Sequence, residues 1–120
     1  MQKKTLILGA SLKPDRYANI AIRRLVAHKI EVVAVGNVTG EVAGVTIEKG
    51  LPNFESINTV SIYLRPSRQS MYYDYIISLK PKRVIFNPGT ENTEFITLLN
   101  AQNIETEIAC TLVMISTNQY

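Results

Sequence analysis

Cysteine and histidine are each used once in the 120 residues of this chain. A lone Cys110 excludes an intramolecular disulfide framework and any cysteine-based metal cluster, and it fits a reducing compartment. With His28 as the single histidine, no His/Asp/Glu group has metal-ligand spacing, so no metal is expected. Long apolar runs are missing too. Met1-Gln2-Lys3-Lys4 leads into an apolar stretch that ends after four residues, which excludes a secretory signal and a membrane span and leads us to expect a cytoplasmic protein. Neither a GxGxxG fingerprint nor a GxxxxGK[ST] phosphate loop occurs, so NAD and ATP are not first choices. The 13 basic residues against 10 acidic ones give a net charge of +3. They are scattered and form no basic stripe with interleaved aromatics, so no nucleic-acid partner is expected.

What is present reads as one globular unit. A hydrophobic content of 46% and a charged content of 19% suit a single domain over residues 1–120 that folds unaided. Thr5-Leu6-Ile7-Leu8, closed by Gly9, has the unbroken apolar character of a strand buried on both faces. Ala18, Ala21, Ile22, Leu25 and Val26 then recur at helical spacing, with Arg23 and Lys29 off the stripe. Glu31-Val32-Val33-Ala34-Val35 is a second strand ending at Gly36-Asn37. Val45-Thr46-Ile47 reads as a short edge strand. Thr59 to Leu64 forms another, left at Arg65-Pro66.

A helix is expected from near Ser67, with Tyr72, Tyr75, Ile76 and Leu79 inside and Pro81 ending it. Arg83-Val84-Ile85-Phe86 is a buried strand stopped at Asn87-Pro88-Gly89. Thr90 is the expected N-cap of the next helix, with Glu91 and Glu94 in its first turn and Phe95, Leu98 and Leu99 facing inward. Glu105 to Ala109 is the final strand, and Leu112-Val113-Met114-Ile115 is apolar enough to pack.

Strand and helix alternate throughout. With right-handed crossovers this predicts a Rossmann-like α/β three-layer sandwich around a mostly parallel sheet of five or six strands, in the order 3-2-1-4-5-6 with the Gly44–Ile47 segment at one edge. Such sheets bind ligands outside the strands' carboxyl ends, where the strand order reverses. That crevice falls between Gly9 and Arg65.

The loop after the first strand, Gly9-Ala10-Ser11-Leu12-Lys13-Pro14-Asp15-Arg16-Tyr17-Ala18-Asn19, suits a phosphate group. A glycine lets the backbone come close, and the following helix N-terminus presents free N–H groups. Ser11 adds a hydroxyl, and Lys13 and Arg16 add charge. Gly36-Asn37 stands at the end of the second strand, where NAD enzymes usually place an acid on the ribose. Without that carboxylate a phosphorylated ribose is tolerated.

Over essentially its whole length the chain resembles the small bacterial CoA-binding domain proteins, related to the nucleotide-binding domain of the succinyl-CoA synthetase alpha subunit. The resemblance is sharpest in Gly9-Ala10-Ser11, Lys13-Pro14-Asp15-Arg16-Tyr17 and Asn19. It continues in Gly44-Val45, Leu64-Arg65-Pro66, Asn87-Pro88-Gly89 with Glu91 and Glu94, and the late Cys110. It implies a ligand, coenzyme A or an acyl-CoA, whose phosphates are surrounded by Gly9, Ala10, Ser11, Lys13 and Arg16, with Pro14 also among the cofactor-binding residues. Asn37 would lie near the adenosine, Arg65, Pro66 and Ser67 would wall the opposite side, and Gly89 would let its turn approach the cleft. The chain departs from the family at Ala18, where serine is common, at Phe86-Asn87 and around Cys110.

No residue stands out as catalytic. The synthetase relatives use a phosphorylated histidine from a second domain that this chain does not contain. His28 falls at a predicted helix end, Cys110 reads as a small buried hydrophobe, and first-turn glutamates commonly just favour the helix dipole. The reading is a binding module, with a protein partner or a homodimer left open. Its rivals are a subunit of an acyl-CoA-dependent enzyme and a regulatory NAD(H)-binding protein.

Overall fold

In the computed structural model, which describes residues 3–120, Thr5–Ala10 forms β1. Met1 and Gln2, which open the segment read as neither signal nor span, lie outside the described residues. The chain continues through α1 (Tyr17–Ala27), β2 (Val32–Gly36), β3 (Gly40–Val42), β4 (Val45–Glu48) and β5 (Thr59–Ile62). Two 3-10 turns, Pro66–Arg68 and Ser70–Tyr72, lead into α2 (Tyr73–Leu79). Then come β6 (Arg83–Phe86), α3 (Thr93–Ala101), β7 (Glu105–Ile108) and α4 (Thr111–Ser116).

Among the described residues the sheet has seven strands, in the order β3-β4-β2-β1-β5-β6-β7. Six of them, β3 left aside, follow the expected order and pair in parallel. The seventh corrects the expectation of five or six strands. Gly40–Val42 folds back antiparallel on β4, so the Gly44–Ile47 segment lies one strand in from the edge. Ala43 and Gly44, between the paired Val42 and Val45, both have positive φ (51° and 83°), the geometry of a two-residue hairpin turn.

The sheet is covered on both faces, which explains why its central strands carry apolar residues at consecutive positions. Leu6 and Leu8 point to the side of α2 and α3, where they meet Ile76, Phe95 and Leu99. Ile7, between them, points to the side of α1 and α4 and joins Ala21, Ile22, Leu25 and Ile115. The terminal apolar segment thus packs, as α4. β5 is buried along its whole length, Thr59 and Ser61 included.

Three local expectations give way. Asn92, and not Thr90, caps α3: its Oδ1 accepts from the Phe95 N–H at 3.0 Å, so Glu94 but not Glu91 lies in the first turn. Thr90 is instead buried, its hydroxyl donating to the Asn87 carbonyl at 2.7 Å. Leu98, expected to face inward with Phe95 and Leu99, is 41% exposed. The helix expected near Ser67 begins at Tyr73, behind the two tighter turns. No described helix is long and apolar enough to cross a membrane.

Candidate functional site

β1 does not end at Gly9. Pairing with β2 shifts register there and resumes at Ala10, opposite Gly36. Gly9 takes φ +92°, and a Cβ on it would lie 3.0 Å from both the Tyr63 carbonyl carbon and the Leu64 side chain. Only glycine meets both demands. On the other side, a Cβ on Gly36 would come within 2.3 Å of the Ala10 carbonyl oxygen. The ends of β1, β2 and β5 are therefore pressed together at the point where the strand order reverses.

The loop beyond Ala10 is held from below. Asn19, buried on α1, donates from Nδ2 to the Ser11 carbonyl at 2.9 Å. Arg23, one turn on, donates to Asn19 Oδ1 (2.8 Å) and to the Pro14 carbonyl (2.8 Å). Ser11 Oγ accepts from the Lys13 N–H at 3.1 Å, and the Arg16 N–H donates to the Lys13 carbonyl. Arg16 then stands at the N-cap of α1 in extended geometry, and no described side chain caps the helix. The first-turn N–H groups are left to face an anion.

The loop borders a cleft of about 600 Å³. Gly9, Ala10, Ser11, Lys13, Arg16 and Asn37, all named from the sequence, line it. Opposite them stand Tyr63, Leu64, Arg68 and Tyr72 from the β5 crossover and Thr90 from the turn after β6. A second hollow, about 330 Å³, shares Asn37, Leu64, Arg68 and Tyr72 with the first and adds Ser67, Ser70 and Met71. Lys13, Arg16 and Arg68 are the charged groups on these walls. Among the described residues no carboxylate lines either hollow.

The far wall is fixed by buried polar groups. Gln69, fully buried, donates from Nε2 to the Leu64 and Thr90 carbonyls at 2.8 Å each, bridging the two turns. Its Oε1 accepts from Asn92 Nδ2 (3.0 Å). That amide also donates to the Tyr73 hydroxyl (2.8 Å), which donates in turn to Glu94 Oε2 (3.0 Å). Beneath the cleft, Asn87 Nδ2 donates to Ser61 Oγ (2.8 Å) and to the Ile62 carbonyl (2.9 Å). Tyr63 lines the cleft, and its buried hydroxyl finds no hydrogen-bond partner among the described residues. Burial pushes that phenol up to about 12; the nearby Ser61 and Thr111 hydroxyls, which pull it the other way, bond to each other at 2.8 Å.

The remaining sequence candidates stand apart from the main cleft. Ser67 borders only the second hollow. Pro14, Arg65, Pro66 and Gly89 line neither. Pro14 offers its carbonyl to Arg23, Arg65 caps the first 3-10 turn and Pro66 opens it. Gly89 adopts φ +88°, a turn geometry that favours glycine, with no described atom within 4 Å of a Cβ built on it. Glu91 closes that turn by accepting from the Gly89 N–H at 2.9 Å.

His28 bonds the Arg24 carbonyl at the end of α1, as a helix-terminal imidazole does. Cys110 is partly buried at the start of α4 and does not line the cleft. No group of three or more His, Cys, Asp or Glu among the described residues is placed to hold a metal.

Arg68, Tyr63 and Tyr72 were missed from the sequence. Arg68 carried a signal, since it lies one 3-10 turn after the Arg65-Pro66 pair that marks the strand exit.

Solved structures share this fold. A crystal structure described as that of an uncharacterized protein is 50% identical over 100% of this chain and 99% of its own, with a TM-score of 0.96. A hypothetical protein from Pyrococcus horikoshii OT3 is 27% identical, with a TM-score of 0.86 over 97% of this chain and 83% of that one. A Thermus thermophilus protein, 21% identical, shares the fold with a TM-score of 0.87 over 99% of this chain and 91% of its own. No curated protein matches the sequence. The model of a family described as CoA binding domain matches residues 3–116, a span that holds the whole cleft. This chain belongs to the CoA binding domain family.

Proposed function

We propose that the chain forms one domain that binds coenzyme A or an acyl-CoA across the carboxyl ends of the sheet, with no catalytic group among its own residues. The observation that carries this reading is the uncapped start of α1, which opens into a cleft whose charged lining is entirely cationic. A polyanion fits such a surface and a cation does not.

The pyrophosphate lies against Gly9, Ala10 and Ser11, with Lys13 and Arg16 neutralising it. Asn37 faces the adenosine, and Ser67 closes the far side of the second hollow. Pro14, Arg65, Pro66 and Gly89 serve the site from outside it, by setting the turns that carry the lining residues. When bound, CoA brings its own reactive thiol or thioester; the protein's residues bind it and hold it in place. The setting is the reducing cytoplasm of a bacterial cell, in keeping with the free thiol of Cys110.

Isothermal titration with CoA, acetyl-CoA, NAD and ATP in one buffer tests the reading. CoA and acetyl-CoA bind, and NAD and ATP bind far more weakly. Binding confined to NAD or ATP, or to none of the four, overturns it.

A further inference from the structure

The two hollows meet between the end of β2 and the crossover after β5, and their shared border carries one charged side chain, Arg68. Lys13 and Arg16 border only the larger hollow, beside the start of α1. The cations therefore fall into two groups, a pair that suits a diphosphate and a single guanidinium set apart from it. Among the described residues the Arg68 guanidinium makes no ion pair and no hydrogen bond. Its backbone, in contrast, is anchored. The Arg68 N–H donates to the Arg65 carbonyl at 2.9 Å, and the next residue is the buried Gln69, which bridges the two turns of the far wall. Arg65, three residues earlier and also exposed, borders neither hollow.

We propose that Arg68 is a specificity-determining residue that receives a phosphomonoester on the ribose of the bound nucleotide. The inference rests on the nucleotide lying as described above, with its diphosphate at α1 and its adenosine toward Asn37, which borders the same two hollows. A guanidinium fork matches a phosphate dianion with paired N–H donors, which a ribose hydroxyl cannot exploit. The same chemistry is offered by the 3′-phosphate of CoA and by the 2′-phosphate of NADP.

Titrations of wild type, Arg68→Ala and Arg68→Lys with CoA, dephospho-CoA, NADP and NAD decide the matter, with Arg24→Ala as a charge-matched control at the far end of α1. Wild type binds CoA on the order of tenfold tighter than dephospho-CoA, the size expected of a charge-assisted hydrogen-bond pair at an exposed site. Arg68→Ala brings CoA down to the level of dephospho-CoA and leaves dephospho-CoA unchanged. Arg68→Lys keeps part of the preference, and Arg24→Ala keeps all of it.

Equal weakening of both ligands in Arg68→Ala overturns the proposal, because the arginine then supplies only general positive charge. Equal binding of CoA and dephospho-CoA by wild type overturns it while leaving CoA binding standing. A wild type that binds neither overturns the proposed function along with it. A preference for NADP over NAD that vanishes in Arg68→Ala, without CoA binding, supports the role of Arg68 and replaces the ligand.

Discussion

Asn87 Oδ1 accepts the backbone N–H of Thr111 at 2.8 Å in the protein interior, tying the turn after β6 to the first residue of α4. The same amide donates to Ser61 and to the Ile62 carbonyl, so one side chain joins β5, β6 and α4 beneath the cleft. Asn87→Ala strands several buried groups at once and is expected to cost about 2 to 3 kcal/mol. Urea unfolding should show a lower midpoint with an unchanged slope.

Arg23 lies outside the cleft yet holds its loop, through Asn19 and the Pro14 carbonyl. Arg23→Ala should weaken CoA binding on the order of tenfold while costing under about 1 kcal/mol of stability. Calorimetric titration and thermal unfolding, run on the same preparation, separate the two effects. Lysine, a single point donor, cannot span both acceptors and should not restore affinity.

Arg16→Glu places a carboxylate at the N-cap of α1, where the structure has a cation facing the cleft. CoA binding should be abolished with thermal unfolding nearly unchanged. Retained binding would show that the pyrophosphate lies elsewhere.

Gly36→Ala tests the crowding at the strand ends directly, because the new methyl would sit 2.3 Å from the Ala10 carbonyl oxygen. The backbone must move, at a cost of about 1 to 3 kcal/mol, and the loop moves with it. Both the unfolding midpoint and CoA affinity should fall.

Burial raises the Tyr63 and Tyr75 phenols to about 12. An unfolded tyrosine ionises near pH 10, so between roughly pH 10 and 12 the unfolded chain releases protons that the folded one keeps. Stability contributed by these groups is complete below pH 10 and is lost as pH rises through that window. Denaturation followed by phenolate absorbance should show it. Tyr63→Phe removes a hydroxyl without a partner and should leave stability at neutral pH unchanged or slightly raised. Tyr75→Phe loses a 2.6 Å bond to the Pro52 carbonyl and should lower it.

The central strands and α1 could be read from residues 5–35 because their apolar positions answer to local rules, period and unbroken burial. β3 could not. It is three residues long, and its turn places alanine where asparagine or aspartate is usual. Thr90 and Asn92 are both good caps by type, and the choice between them was made by tertiary contacts, Thr90 being drawn inside by Asn87.

In the cleft, the loop from Gly9 to Arg16 was legible because it is contiguous and matches a known family loop. The opposite wall was not. Tyr63, Arg68 and Tyr72 come from a crossover whose approach depends on Gln69 reaching a carbonyl twenty-one residues away in sequence.

The register shift at Gly9 has a kinetic meaning. Because β1 resumes its pairing at Ala10, the stretch proposed to meet the ligand begins as sheet and is tied by Asn19 and Arg23 within a few residues. An incoming molecule meets a loop already tied at the Ser11 and Pro14 carbonyls. Association should then proceed in a single concentration-dependent phase, with variants at the loop altering residence time far more than the speed of capture.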